Sequence, residues 1–217
     1  MNTGVGIDVG GTFTDAVLIR GNSIESKCKI PTNTENLVET LVLALDHLGK
    51  GATTAEQITV STTLVTNAIL QKSFPKVELF LFPGTGMKLE SLRWPMSYNV
   101  LSGEIDYRGR EICPPDELEW RRLINKLSQL ESGIHHIAVV GKFSHRNKQH
   151  EEALGNFLIK RNPNLKVSLG HEWGQANFFR RSQTTYLNLA SSDLFRLFAD
   201  DLQKAISSRG SKATIRV

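Results

Sequence analysis

The sequence predicts an α/β protein made of two successive units: a three-strand meander running into strand–helix alternation in the order βββαβαβ, then a second α/β unit. Three observations carry this. Apolar runs at residues 3–8, 13–20 and 23–30 are broken by Gly10-Gly11 and by Gly21-Asn22, pairs that punctuate strands. Leu37, Leu41, Leu45 and Leu48 follow at helical spacing. Beyond residue 116, helical patterns alternate with short apolar runs, the signature of helices laid on a partly parallel sheet.

Taken in order, TGVGID (3–8), FTDAVLIR (13–20) and SIESKCKI (23–30) are the meander strands. A helix is expected over 34–48, with Thr34 as its N-cap and Gly49 and Gly51 as its stop. Residues 58–61 make a short strand, 62–71 a helix, and 77–82 a strand that ends on Pro83-Gly84. Residues 84–115 carry several glycines and prolines with weak periodicity, so loops and short strands are expected there. Leu118, Ile124 and Leu127 mark a helix over 116–130; a buried strand follows at 137–143, a helix at 147–161 and a strand at 167–170. A long helix is expected from 181 to about 208, carrying Leu187, Leu194, Phe195, Phe198, Leu202 and Ile206, then a strand at 213–217. The expected division is residues 1–83 and 84–217, and the last strand has the look of an unfinished one, as in a truncated chain.

Composition narrows the class. A chain of 217 residues with 40% hydrophobic and 22% charged side chains can bury one substantial core or two small ones. The net charge of +4 is spread along the chain, whereas nucleic-acid binders concentrate basic residues in a stripe. Cys28 and Cys113 stand far apart and belong to no CxxC pair, which points away from a disulfide framework or thiolate metal site and toward a reducing, cytoplasmic setting. The opening MNTGVGIDVGG has no basic segment followed by an apolar one, and no apolar run approaches a membrane span.

The chemistry begins at Asp8-Val9-Gly10-Gly11-Thr12-Phe13-Thr14-Asp15, set between two strands so that the glycines fall in the turn. Without Cβ atoms, backbone N–H groups come close to phosphate oxygens, and the Thr12 and Thr14 hydroxyls add donors. Asp8, at a strand end, is placed to orient a hydrated Mg²⁺ or an attacking water. Neither a Walker loop nor a GxGxxG fingerprint is present. The plainer reading is a hairpin turn that merely needs glycine.

Ser61-Thr62-Thr63 opens the next helix and either binds an anion or caps the helix. Residues 143–151, FSHRNKQHE, lie where a strand gives way to a helix, a place where loop residues meet ligands. His145, His150 and His171 lack the spacing of a zinc site, since no second histidine follows His150 at i+4. Arg180 or Arg181 has the fork geometry to hold a carboxylate or phosphate, or else covers a helix end.

GIDVGGTFTDAVL resembles the opening of the hydantoinase/oxoprolinase family, and STTLVTNAIL (61–70), GKFSHRNKQHEEAL (141–154) and LGHEWGQANFFRRSQTTYLNL (169–189) agree with it in order. The resemblance implies an actin-like ATPase lobe, ribonuclease H-like, and an ATP-dependent enzyme that opens a cyclic amide such as a hydantoin or 5-oxoproline. Family members with the same subunit type carboxylate ketones instead, and a non-catalytic interaction protein is the third alternative. The family's HGTT segment reads Val60-Ser61-Thr62-Thr63 here, which removes its histidine and leaves Thr62, Thr63 and Asn67 as catalytic candidates beside Asp8. Gly10, Gly11, Thr12, Thr14 and Asp15 are the candidates for nucleotide, with Mg²⁺ on Asp8. Ser144, Arg146, Asn147, Arg181 and Thr184 are the candidates for substrate, Thr185 and Asn188 standing beside them. Asp8, Thr62 and the 144–147 loop are expected around one cleft. An actin-like ATPase needs a second lobe, so a missing C-terminal lobe or a partner subunit is expected to complete the site.

Overall fold

A computed structural model describes residues 3–71, 73–130, 136–174 and 176–217. In chain order the elements are β1 (Thr3–Val9), β2 (Phe13–Arg20), β3 (Ser23–Pro31), α1 (Leu37–Leu48), α2 (Lys50–Thr53), β4 (Gln57–Thr62), α3 (Leu64–Gln71), β5 (Val77–Phe82), β6 (Asn99–Val100), β7 (Glu104–Ile105), β8 (Glu111–Cys113), α4 (Glu117–Leu130), β9 (His136–Gly141), α5 (Gln149–Arg161), β10 (Lys166–Leu169), α6 (Phe178–Ser207) and β11 (Thr214–Arg216). The chain forms two compact units, Met1–Ser73 with Asp193–Val217, and Phe74–Ser192.

The first unit is a five-stranded sheet in the order β11-β4-β1-β2-β3. β1, β2 and β3 pair antiparallel as a meander, while β4 lies parallel to β1 and β11 parallel to β4. Alternation along β1 sends Val5, Ile7 and Val9 into the core and leaves Gly4, Gly6 and Asp8 on the opposite face. Leu41, Leu45 and Leu48 of α1, with Phe198, Leu202 and Ile206 of α6, complete that core. The α1 N-cap is Asn36, not the expected Thr34: the Asn33 side chain takes the Glu35 amide in a turn, and the Asn36 side chain then accepts the Glu39 amide at 3.1 Å.

The second unit carries a four-stranded parallel sheet in the order β10-β9-β5-β6. β5 and β9 are buried along their whole length, which explains why VELFLF and HIAVVG do not alternate. Trp120, Leu154 and Leu158 pack on one face, and Phe178, Leu189 and Ala190 on the other.

The compact units differ from the expected division at residue 83. β5 pairs with β9 rather than with the meander, so the boundary falls before it, at Ser73. The C-terminal half of α6 and β11 return to the first unit, because β11 adds a strand beside β4 and α6 supplies part of that core. Among the described residues no helix is long and apolar enough to cross a membrane.

Candidate functional site

The turn between β1 and β2 follows directly from its sequence. Gly10 N–H donates to Phe13 C=O at 3.0 Å and closes the turn, while Thr12 C=O accepts Thr32 N–H at 2.9 Å and ties it to the end of β3. Gly11 and Thr12 are exposed, and among the described residues neither backbone amide donates to another group. The two glycines are there for different reasons. A Cβ on Gly10 would stand 2.9 Å from Phe13 O, so the fold demands glycine. A Cβ on Gly11 would meet nothing within 4 Å, and neither residue has positive φ. Among the described residues nothing requires glycine at 11, and its backbone lies open to approach.

Around this turn stand the acidic candidates. Asp8 is exposed, and its carboxylate makes no hydrogen bond or ion pair with another described residue. Asp15 lies directly across the β1–β2 ladder from it, and Lys29 holds Asp15 at 3.0 Å. Like charges placed opposite each other on a sheet repel, and of the two only Asp15 has a cationic partner among the described residues. Mg²⁺ takes one or two carboxylates along with phosphate oxygens and water, a donor set in which the exposed Asp8 carboxylate would fit. Among the described residues no group of three or more metal-ligating side chains exists, so the chain offers no all-protein metal cage. Thr14 stands differently from Thr12: it is fully buried and its hydroxyl shares a 2.9 Å hydrogen bond with Thr32, which makes it a brace for the turn.

β4 brings the second segment to the same sheet end, since Thr62 pairs with Val9 and Ser61 with Asp8 in the parallel ladder. Thr62 ends the strand rather than opening the helix, and its hydroxyl accepts the Leu64 amide at 3.2 Å. Thr63 is exposed, donates its amide to Val9 C=O and receives the Asn67 side-chain amide at 3.3 Å. Asp8, Gly11, Thr12, Ser61 and Thr63 thus share the carboxyl end of the β1/β4 pair, where ligands of open α/β sheets bind. A larger hollow of about 650 Å³ lies at the other end of this face among Gly4, Gly6, Gln57 and Thr59, away from these groups.

The second unit holds the remaining candidates. Arg146 is exposed and lines a cavity of about 400 Å³ with Ser144, Asn147 and His171. Asn147 donates to Gly109 C=O at 2.9 Å, and Ser144, buried, donates to Gly141 C=O at 3.0 Å. Arg181 does not face a ligand: it is 1% exposed and donates through Nη2 to the carbonyls of Gly141 at 2.6 Å and Lys142 at 3.0 Å. Burial pushes its pKa down, with Glu151 pulling the other way. Arg181 therefore clamps the strand end that carries the 144–147 loop. Thr184 is exposed on α6, while Thr185 is buried and bonds back to Arg181 C=O at 2.8 Å. The pairing of Glu151 with His171 escaped the sequence reading: Glu151 is fully buried, and its Oε2 lies 2.6 Å from His171 Nδ1.

A meander whose first strand pairs in parallel with the fourth, with an open glycine turn at the carboxyl end of that strand, defines the α/β class of the first unit. The chain belongs to the hydantoinase/oxoprolinase family, whose N-terminal region it matches over residues 4–161. It is 25% identical to the caprolactamase subunit alpha of Pseudomonas jessenii over 243 aligned positions, which takes in 98% of this chain and 34% of that protein. The crystal structure of the ATP-dependent caprolactamase from the same organism superposes with a TM-score of 0.75 at 23% identity, over 98% of this chain and 35% of the other. Nucleotide-free acetone carboxylase superposes with a TM-score of 0.76 at 16% identity, over 99% and 36% of the respective chains. The chain thus spans about a third of the length of these relatives.

Proposed function

We propose that this chain is the phosphate-binding N-terminal portion of an ATP-dependent cyclic-amide hydrolase. The observation that carries this is Gly11, a glycine that neither backbone conformation nor packing against the described residues requires, whose own amide and that of Thr12 have no partner among those residues at an exposed sheet end. The relatives support the reaction class, one being an ATP-dependent caprolactamase. A lactam carbonyl is a weak electrophile; phosphorylating its oxygen turns that oxygen into a leaving group and lets water open the ring. In this scheme the Gly11 and Thr12 amides and the Thr12 hydroxyl hold phosphate oxygens in a fixed array, while the Thr63 hydroxyl, donated to Val9 C=O, ties β4 to the end of β1. Asp8 orients Mg²⁺ or the attacking water, and Asp15, held by Lys29, keeps the acidic face from collapsing onto it. Mg²⁺, when bound, offsets charge on the transferring phosphoryl group. Asn67 fixes the Thr63 side chain, while Ser144, Arg146 and Asn147 shape the substrate side. Both cysteines are unpaired thiols, which suits a reducing cytoplasm.

The nucleotide site of such a lobe is one wall of two, and further chain or a partner subunit supplies the other. The 217 residues alone are therefore inactive and hold MgATP no better than about millimolar, roughly 4 kcal/mol. Calorimetry with MgATP, before and after Asp8→Ala, tests this: weak binding that the substitution removes is expected. Micromolar binding or lactam-dependent ATP turnover by these residues alone would overturn the half-site reading. In the completed enzyme, lactam-dependent ATP consumption is expected; ATP consumption that requires a ketone and bicarbonate instead would assign the chain to a carboxylase.

A further inference from the structure

In the second unit, Glu151 and His171 form a carboxylate–imidazole pair whose protonation can be read from geometry. Glu151 Oε1 accepts the Gly141 amide at 2.7 Å, and Oε2 accepts the His171 amide at 2.8 Å while lying 2.6 Å from His171 Nδ1. Backbone amides only donate, so the carboxylate is the common acceptor and Nδ1 carries the ring proton. Nε2 is left with its lone pair, and among the described residues it has no hydrogen-bond partner. Gly170 makes the approach possible, since a Cβ there would stand 2.7 Å from Val140 and 2.9 Å from Glu151 Oε1.

His171 lines the cavity of about 400 Å³ together with His145, Arg146 and Lys148. Lys148 is engaged by Glu152 at 2.7 Å; the Arg146 amide donates to Phe143 C=O at 2.8 Å, but its guanidinium makes no hydrogen bond or ion pair with another described residue. Burial lowers the His145 pKa, and the positive charges of Arg181 and Arg146 lower it further, the mark of an electropositive cavity wall. Glu172 also acts on Lys148, while Glu151 is wholly engaged below His171.

We propose that this cavity binds a small molecule bearing an oxyanion, anchored by Arg146, and that His171 Nε2 takes a proton from the molecule's own N–H or O–H or from a water beside it. The proton moves to Nε2 and its bonding pair stays on the donor atom; the resulting imidazolium keeps its Nδ1 contact with the Glu151 carboxyl. Glu151 is the positioning residue, fixing tautomer and ring orientation. The inference rests on the reading of residues 144–147 as the substrate side and does not involve the Gly10–Thr12 turn.

Side-chain ¹⁵N–¹H spectra of the histidines, recorded with acetate, inorganic phosphate or neutral acetamide, test it. The expected result is an Nδ1–H tautomer at His171, with a protonation midpoint that acetate or phosphate raises and acetamide leaves in place. Arg146→Ala, at an exposed position, should weaken the anion response roughly tenfold, the loss of one charge-assisted contact. Glu151→Gln should lose the Nδ1–H tautomer. An Nε2–H tautomer in the unaltered protein, an equal response to acetamide, or an undiminished response in Arg146→Ala would overturn the proposal. Failure of MgATP to bind would overturn only the nucleotide reading and leave this test as it stands.

Discussion

Substituting alanine at each of the two turn glycines separates fold from ligand. At Gly10 the new Cβ would lie 2.9 Å from the Phe13 carbonyl oxygen, the same oxygen that closes the turn by accepting the Gly10 amide at 3.0 Å. Backbone must move, at the roughly 1–3 kcal/mol that overpacking costs. For a chain of this size each kcal/mol shifts the midpoint by about 2–4 °C, so Gly10→Ala should melt about 2–12 °C lower. At Gly11 the Cβ enters open space at an ordinary φ, and alanine should stabilise by about 0.4–1 kcal/mol through the unfolded state. MgATP at ten times its dissociation constant should raise the unaltered chain's stability by about 1.4 kcal/mol. Thermal melts of the three proteins with and without MgATP read all of this. Gly11→Ala should melt higher than the parent yet lose the MgATP shift. A Gly11→Ala protein that keeps the full shift would refute the claim that glycine is there for phosphate, and one that melts lower would refute the reading of the turn.

Asp8→Asn should abolish the MgATP shift without lowering the melting point, because it removes one of two like charges facing each other across the ladder; a clear loss of stability in urea titration would show that Asp8 is structural. Arg181→Met should cost about 1–3 kcal/mol in urea unfolding, since it takes a buried donor away from the Gly141 and Lys142 carbonyls; a cost under about 0.5 kcal/mol would show that the clamp is unimportant. The depressed His145 pKa makes the unfolded chain bind a proton first as pH falls, so its contribution to stability is present above the ordinary histidine range and lost below it. His145→Gln should flatten the stability profile across that range, and an unchanged slope would show that another group sets it.

The fold was legible where local pattern and tertiary demand agree. Val5, Ile7 and Val9 alternate with Gly4, Gly6 and Asp8, so β1 could be read directly, as could the leucine stripe of α1. The division of the chain was not legible, because it depends on partners remote in sequence. VELFLF is apolar at nearly every position and would serve equally in either sheet; only its pairing with HIAVVG puts it in the second unit. The return of α6 and β11 to the first unit hangs on Leu202, Ile206 and a three-residue edge strand, none of which announces its partner. The helix over 50–53 was hidden by its glycines: Gly49 stops α1 as expected but also opens α2, and Gly51 lies inside that short helix.

The candidate site divides along the same line. DxGGT announced the turn because glycine and aspartate are unusual between two apolar strands, yet the pattern treated Thr12 and Thr14 alike. Strand alternation separates them: Thr14 falls on the core face and is spent on Thr32, while Thr12 stays outside. Arg181 misled for a related reason. A guanidinium beside polar helix residues suits an anion or a set of carbonyl oxygens equally well, and only burial shows that two carbonyls of the β9 end had already taken it. The Glu151–His171 pair had no signal in spacing, being twenty residues apart, but it left one in composition. A glycine that ends a strand just before a histidine permits an approach that any Cβ would block, here within 2.9 Å of the carboxylate that the histidine meets. Replacing Gly170 by alanine should thus part His171 from Glu151 before it disturbs the sheet, seen as loss of the Nδ1–H signal. Retention of that signal in a folded Gly170→Ala protein would mean that the pair is held by something other than the close approach.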